Sequence, residues 1–281
     1  MASERTLQVI DLHDILRRRI GGWKGKLIPG FLITALERLV HQDGLNRLLR
    51  EAWPAEGSEF ARSILRSLGI TVETVGLDSL PEGRRFAFAS NHPLGGLDGI
   101  ALIAVLGEKY GDDNIRFLVN DMLMNVEPLH KVFLPVNKYG SSQARAATKA
   151  INDAYASGRH IFQFPAGLVS RLHDDGSIAD LEWKKTFAAK ALEYGLDIVP
   201  VYFEGLNSGR FYKTARLRKK SGLKINLEQA LLPAEIFRSK GKRFRIVFGT
   251  PLSAAELRER HPAPQELAAE IRQRAYALDR R

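Results

Sequence analysis

Apolar residues in the first quarter of the chain recur at the spacing of a helix. Within residues 31–40 one apolar stripe would share a helical face, formed by Leu32, Leu36, Leu39 and Val40. Residues 45–52 and 58–68 continue this pattern, and Gly69 would end the last helix. We therefore predict an N-terminal helical segment over residues 1–68.

The spacing changes to that of strands after Gly69. Residues 70–75 are rich in β-branched side chains, and residues 85–90 alternate as a strand does. Further strands are predicted at residues 115–120, 132–136, 160–164, 198–203 and 244–249, and helices at 98–109, 141–157, 182–195, 232–239, 253–261 and 264–279. Strands separated by helices of this length indicate an α/β sheet with crossover connections, formed by residues 69–281.

Composition and charge narrow the possible chemistry. The chain has no cysteine, which excludes a disulfide framework, a thiolate nucleophile and cysteine-ligated zinc. No apolar run approaches the roughly 20 residues of a membrane span, and residues 1–19 lack the apolar core of a signal peptide. The net charge is +10, and residues 210–245 hold twelve lysines and arginines against two acids. This excess predicts an anionic partner: nucleic acid, an anionic membrane surface or a phosphorylated substrate.

One histidine has a setting that suggests chemistry. His92 follows a predicted strand directly, and Asp98 lies six residues further on. The adjacent Gly95 and Gly96 would let the loop fold back so that the carboxylate reaches the imidazole. A carboxylate on one ring nitrogen fixes the tautomer and leaves the other nitrogen free to act as a base. The alternative is that the segment is only a polar turn and Asp98 only a helix cap.

Four sequence blocks carry a resemblance to a known family. In chain order they are Asn91–Gly99 (NHPLGGLDG), Leu134–Lys138 (LPVNK), Phe164–Arg171 (FPAGLVSR) and Val199–Val201 (VPV). The series resembles the glycerolipid acyltransferases, which include the lysophosphatidic acid acyltransferases. It is most similar to a bacterial branch labelled glycerol acyltransferase or hemolysin, some members of which acylate lyso-aminolipids such as lyso-ornithine lipids.

The resemblance implies both a fold and a reaction. It implies a mixed, mainly parallel sheet flanked by helices, and the transfer of a fatty acyl group from acyl-carrier protein or acyl-CoA to a lysolipid hydroxyl. His92 would be the general base, with Asp98 orienting it. No protein nucleophile, metal or organic cofactor is implied, and backbone N–H groups of glycines would stabilise the oxyanion. The substrate-binding candidates are Asn91, Gly95, Gly96, Lys138, Phe164, Pro165, Gly167, Ser170, Arg171, Lys184 and Lys185.

The sequence departs from the family pattern in three places. Five residues instead of four separate His92 from Asp98, which bears on the geometry of that pair. Two departures bear on the acceptor: Ala166 stands where the family usually has Glu, and Asn137-Lys138 stands where Asp-Arg is usual. Arginine grips a phosphate with a planar fork, whereas lysine offers a point charge. The hypothesis is an acceptor such as a lyso-aminolipid. The alternative is that Lys138 and Arg171 still hold the phosphate of lysophosphatidic acid or glycerol phosphate.

The basic residues predict how partners approach. Lys184 and Lys185 would attract an acidic carrier protein or the phosphates of CoA, or would simply be solvated, while Trp183 is expected in the core. An anionic membrane surface could bind basic and apolar residues of the N-terminal segment: Arg17, Arg18, Arg19, Trp23, Lys24, Lys26, Phe31, Leu32 and Ile33. We expect a bacterial peripheral enzyme at the cytoplasmic face of the inner membrane. The alternative is that residues 31–40 pack on the α/β domain.

Two other function classes use the same residues. A nucleic-acid binder would use the basic cluster and stack bases on Phe211 and Tyr212, but it leaves the four blocks unexplained. A lipid hydrolase would use His92 to activate water. We expect no nucleic acid among the partners.

Overall fold

A computed structural model describes residues 10–13, 29–136, 141–221, 227–260 and 263–280. The helices are α1 (Gly30–Leu39), α2 (Gln42–Ala52), α3 (Gly57–Ser67), α4 (Gly96–Tyr110), α5 (Ser141–Ala156), α6 (Thr186–Tyr194), α7 (Gly209–Lys220), α8 (Leu232–Arg238), α9 (Ala254–Arg260) and α10 (Pro264–Ala277). The strands are β1 (Thr71–Val75), β2 (Phe86–Ser90), β3 (Ile115–Asn120), β4 (Phe133–Val136), β5 (His160–Gln163), β6 (Arg171–Leu172), β7 (Ile178–Ala179), β8 (Asp197–Phe203) and β9 (Arg243–Phe248).

Seven strands form one mixed sheet in the order β1-β9-β8-β2-β5-β3-β4. Strands β8, β2, β5, β3 and β4 are parallel to one another, β9 is antiparallel to β8, and β1 is parallel to β9. This confirms the predicted mixed, mainly parallel sheet. Since β2 lies between β5 and β8, the loops that follow these three strands meet at one edge of the sheet.

The central strand β2 shows how the sheet is covered on both faces. Phe86 and Phe88 pack into the core cluster that contains α3 and α4. Ala87 and Ala89 point to the opposite face, where the core cluster includes residues of α6 and α10. Every residue of β2 is buried, as expected for a strand in the middle of a largely parallel sheet.

The N-terminal helices differ in how much of their surface is buried. Helices α2 and α3 contribute Leu48, Leu49, Phe60 and Ile64 to the same core cluster as the sheet. In α1 only Ile33 is buried, and the apolar residues with large exposed surface are Phe31, Leu32 and Leu36. The apolar stripe of α1 is therefore open at Leu32 and Leu36, whereas Leu39 packs against the core cluster that contains Phe211 of α7. The division at residue 68 stays a prediction.

Two elements were not predicted from the sequence. The sequence of helix α7 shows mainly high positive charge, but Phe211, Tyr212 and Ala215 on one of its faces are buried. The short antiparallel hairpin of β6 and β7 was also missed, because two-residue strands carry too little alternation to detect. The helix predicted from residue 182 begins at Thr186.

Candidate active site

The loop after β2 is held to neighbouring strands by buried amide side chains. Asn91 donates from Nδ2 to the carbonyl of Phe203 (2.9 Å) and accepts at Oδ1 from the N–H of Phe203 (2.7 Å). Asn207 donates from Nδ2 to the carbonyl of Pro93 at 2.9 Å. The end of β2 is therefore fixed to the end of β8, and the side chain of Asn91 is engaged within the protein. Its role in substrate binding stays a prediction.

His92 and Asp98 lie in direct contact despite the five residues between them. The Nδ1 atom of His92 is 3.0 Å from Oδ2 of Asp98. Because an aspartate carboxylate only accepts hydrogen bonds, Nδ1 carries the proton and Nε2 is left as the unprotonated nitrogen of the neutral ring. Among the described residues Nε2 has no hydrogen-bond partner, and 17% of the His92 side chain is exposed.

Asp98 also caps helix α4, so it is both the partner of His92 and a helix cap. Its Oδ2 atom accepts hydrogen bonds from the N–H groups of Leu94 (2.9 Å) and Gly95 (3.2 Å). Gly95 adopts a φ of +84°, and a Cβ there would lie 2.9 Å from a methyl group of Leu232, so only glycine fits. The glycine gives the loop the turn that brings Asp98 back to His92.

The charges around His92 make it a stronger base than an isolated histidine. Burial opposes the imidazolium charge, but the negative charges of Asp98 and Asp180 outweigh burial, and the net effect raises the pKa of His92 above its usual value. The positive charge of Arg171 acts in the opposite direction. Phe164 stacks on the imidazole with ring centroids 3.9 Å apart, which restricts the orientation of the ring.

The glycine N–H groups that were candidate oxyanion donors are not equivalent. The N–H of Gly95 donates to Asp98, and the N–H of Gly167 donates to the carbonyl of Phe164 at 3.0 Å. Gly96 is exposed at the first position of α4, and its N–H has no hydrogen-bond partner among the described residues. Of these three glycines, Gly96 alone has an N–H without a partner in the described part of the chain, so it could bind a developing negative charge without first breaking a hydrogen bond.

The Phe164–Arg171 block divides into inward-facing and outward-facing residues. Pro165 is buried, and its carbonyl accepts the N–H of Lys184 at 3.1 Å. Lys184 and Lys185 are exposed, with the Nζ atom of Lys184 beside Gly167. Ser170 is buried and turned away from solvent, with its hydroxyl on Asp180 at 2.6 Å. Lys138 lies outside the described residues.

Arg171 belongs to a buried charge network that sequence reasoning missed. Its NH2 group donates to Glu228 at 2.9 Å, and Glu228 also accepts from Nε of Arg218 at 2.8 Å. Glu228 lies in the 3₁₀ helix Leu227–Leu231 and is fully buried. The NH1 group of Arg171 is buried without a hydrogen-bond partner in the described part of the chain, and burial lowers the pKa of Arg171.

Asp180 is the second residue of the site that the sequence did not reveal. Its carboxylate is fully buried beside His92, Ser170 and Trp183. The available signal was an acid within the partly apolar stretch of residues 178–183, but no spacing linked it to His92. Trp183 is buried, as predicted.

Comparisons with known proteins show the family to which this chain belongs. A family model described as "Acyltransferase" matches residues 21–280. The chain belongs to the acyltransferase family. The lyso-glycine lipid O-acyltransferase of Phocaeicola vulgatus is 42% identical over 250 residues, covering 89% of this chain and 88% of that protein. The lyso-glycine lipid O-acyltransferase of Bacteroides thetaiotaomicron is 38% identical over 276 residues, covering 98% of this acyltransferase and 100% of its relative.

A solved structure is also similar to this acyltransferase. It is the crystal structure of the 1-acyl-sn-glycerophosphate (LPA) acyltransferase PlsC from Thermotoga maritima, with a TM-score of 0.45 and 16% identity, covering 89% of this chain and 92% of that chain.

Two further features bear on the predicted alternatives. Phe211 and Tyr212, which a nucleic-acid binder would need on its surface, are 0% and 3% exposed. Among the described residues no helix is long and apolar enough to cross a membrane.

Proposed function

We propose that this acyltransferase moves a fatty acyl group from a thioester to the hydroxyl of a lysolipid, with His92 as general base and Asp98 orienting it. The observation that carries the proposal is the contact between Nδ1 of His92 and Asp98, which leaves Nε2 unprotonated and without a partner among the described residues. The two relatives named lyso-glycine lipid O-acyltransferase support a lysolipid as the acceptor.

The reaction needs no covalent intermediate on the protein. Nε2 of His92 takes the proton from the acceptor hydroxyl as its oxygen attacks the thioester carbonyl. The resulting oxyanion accepts the Gly96 N–H at the N-terminus of α4, where the helix dipole also favours negative charge. The carbon–sulfur bond then breaks, and the imidazolium returns its proton to the leaving thiolate. Asp98 stabilises the imidazolium between these two steps.

The charges around Arg171 favour an acceptor with a single negative charge. Arg171 and Arg218 share Glu228, so the three side chains together carry one net positive charge. A phosphate monoester carries up to two negative charges and is best bound by arginine forks that are free of internal partners. The buried Nη1 group of Arg171 is a donor without a hydrogen-bond partner among the described residues. We therefore propose a lyso-aminolipid with an anionic amino-acid head group, such as the lyso-glycine lipid in the names of the relatives.

The donor is proposed to be an acyl-CoA or an acyl-carrier protein. Lys184 and Lys185 are exposed, and the N–H of Lys184 donates to the carbonyl of Pro165, next to Phe164. Two lysines at this position favour an anionic donor in either form. They do not discriminate between the two.

Helix α1 supports peripheral binding to an anionic membrane. Its exposed apolar side chains Phe31 and Leu32 are 71% and 45% accessible. The same helix borders a cleft of about 350 Å³ whose lining includes three arginines and one acid, namely Arg38, Arg210, Arg238 and Glu235. Exposed apolar residues beside cations are typical of a surface that lies on a bilayer. We propose that α1 binds the membrane in this way; the cytoplasmic face of the inner membrane stays a prediction.

Product analysis by mass spectrometry tests the proposal. Purified protein and His92→Ala are each supplied with acyl-CoA or acyl-carrier protein and a panel of lysolipids, including lyso-glycine lipid and lysophosphatidic acid. We expect the wild type to acylate the lyso-aminolipid and the variant to be slower by about 10³-fold, the scale of general-base catalysis. Free fatty acid as the main product would favour the hydrolase alternative. Acylation of lysophosphatidic acid alone would overturn the proposed head group.

A further inference from the structure

The carboxylate of Asp180 accepts hydrogen bonds from three donors around the site. Its Oδ1 atom accepts the backbone N–H of His92 at 3.1 Å and the hydroxyl of Ser170 at 2.6 Å. Its Oδ2 atom accepts Nε1–H of Trp183 at 2.9 Å. All three partners are donors, which is the pattern that an ionised carboxylate satisfies, although burial raises the pKa of Asp180.

The backbone of His92 is bound on both sides by one segment of the chain. Asp180 accepts the His92 N–H, and the N–H of Ser170 donates to the His92 carbonyl at 2.8 Å. Ser170 is itself fixed by its hydroxyl on Asp180. Both hydrogen-bonding groups of the His92 main chain are therefore held by the hairpin that connects Ser170 to Asp180.

The C-terminal helix α10 binds the main chain of Asp180. The N–H of Asp180 donates to the hydroxyl of Tyr276 at 2.7 Å, and Arg272 donates to the Asp180 carbonyl at 2.8 Å. Arg272 also lies over the ring of Tyr276, with its guanidinium carbon 4.8 Å from the ring centroid. The position of His92 is thus tied to α10 through one buried residue.

We propose that Asp180 is a positioning residue, which holds the main chain of His92 so that its ring lies between Asp98 and the acceptor. This inference rests on the proposed role of His92 as the base. Asp98 acts on the imidazole ring, and Asp180 acts on the backbone that carries it. The two carboxylates therefore have different tasks. Ser170 is turned inward because its hydroxyl donates to Asp180, and it does not face a substrate.

Asp180→Asn is the direct test. Asparagine keeps the shape of the side chain, but its NH₂ group cannot accept a hydrogen bond. If the NH₂ group replaces Oδ2, the bond from Trp183 is lost. If it replaces Oδ1, the bonds from His92 and Ser170 are both lost. We expect kcat to fall about 10²-fold, the cost of a small misplacement of a catalytic group, with a much smaller change in KM for the lysolipid.

The pH profile separates positioning from a general loss of structure. The charged groups that act on His92 are Asp98, Asp180 and Arg171, and the two carboxylates raise its pKa. Removing the charge of Asp180 lowers the pKa of His92, so the acidic limb of kcat/KM should move to lower pH. Trp183→Phe removes one donor and keeps the charge, so kcat should fall several-fold without this movement.

Asp174→Asn is the matched control, because Asp174 is an exposed acid in the same hairpin. It should keep the wild-type kcat and pH profile. A folded Asp180→Asn protein with wild-type kcat and pH profile would overturn the inference. If Asp180→Asn does not fold, wild-type kcat in both Trp183→Phe and Ser170→Ala would overturn it instead. Full activity in His92→Ala would contradict the proposed function itself. If His92→Ala is inactive and Asp180→Asn is fully active, only the proposed role of Asp180 is contradicted.

Discussion

His92 and His160 lie at opposite ends of neighbouring parallel strands, and their surroundings give them opposite protonation behaviour. His92 follows the carboxyl end of β2 and has two carboxylates beside it, which raise its pKa. His160 begins β5 and lies among aromatic rings, where burial lowers its pKa to about 4. Its Nδ1 atom accepts the N–H of Phe86 at 3.2 Å. The difference shows that buried acids, more than burial alone, make a histidine suitable as a base in this fold.

The largest expected effect comes from removing the charge that distinguishes His92. In Asp98→Asn the imidazole loses the partner that fixes its tautomer, so kcat should fall about 10³-fold, measured by acyl transfer to a lysolipid. The helix cap is also weakened, at a cost of about 1 kcal/mol in unfolding free energy.

Asp112→Asn is the matched control for Asp98. Asp112 accepts the N–H of Ser58 at the start of α3 and therefore also caps a helix, but it does not contact His92. It should lose stability and keep kcat per folded molecule. An equal loss of kcat in both variants would mean that the caps, and not the His92–Asp98 pair, account for the effect.

The second prediction concerns stability at acid pH. His160 is neutral in the folded protein, and its folded pKa of about 4 lies below the usual value of 6.5. Its contribution to the free energy of unfolding is present above pH 6.5 and is lost as the pH falls toward 4, by about 3 kcal/mol in all. Chemical denaturation at several pH values measures this loss. In His160→Gln the free energy of unfolding should depend less on pH, while the acidic limb of kcat/KM, which belongs to His92, should not move. If the free energy of unfolding depends on pH as in the wild type, other groups account for the loss of stability at acid pH.

A smaller effect tests the cation beside the base. Arg171→Gln removes a positive charge that lowers the pKa of His92, so the acidic limb of kcat/KM should move to higher pH, opposite to the shift expected for Asp180→Asn. Loss of a charge-assisted hydrogen bond to the head group should raise KM for an anionic lysolipid about 10-fold. An unchanged KM together with the pH shift would mean that Arg171 affects the pKa of His92 but does not bind the acceptor.

The smallest effect on chemistry should come from α1, which contacts neither histidine. Phe31→Ser removes the most exposed apolar side chain of this helix and should weaken binding to anionic vesicles about 10-fold. Activity on a detergent-dispersed acceptor should stay unchanged. Leu123→Ser is the control, since Leu123 is 42% exposed but lies outside α1. Equal loss of vesicle binding in both variants, or binding that does not weaken with salt, would contradict the proposed surface.

Local spacing was sufficient wherever the partners lie close in sequence. The alternation of short strands and longer helices predicted the α/β class, and the boundaries of most strands agree with the structure within one or two residues. The pairing of His92 with Asp98 was one of two interpretations of a six-residue separation and two glycines, and the resemblance to the glycerolipid acyltransferases favoured it. Helix α7 was missed because its buried face is short and its charge density suggested an exposed surface.

What the sequence by itself determined was therefore the strands of the main sheet, most of the helices that flank it and the two residues of the candidate pair. Only the tertiary structure brought Asp180 to His92 across 88 residues and Glu228 to Arg171 across 57 residues. It also showed that, of the three candidate glycines, Gly96 alone keeps its N–H free among the described residues. Periodicity reports which residues are buried, but it does not specify which buried residues meet. That is decided by the order of strands in the sheet and by the helices packed against it.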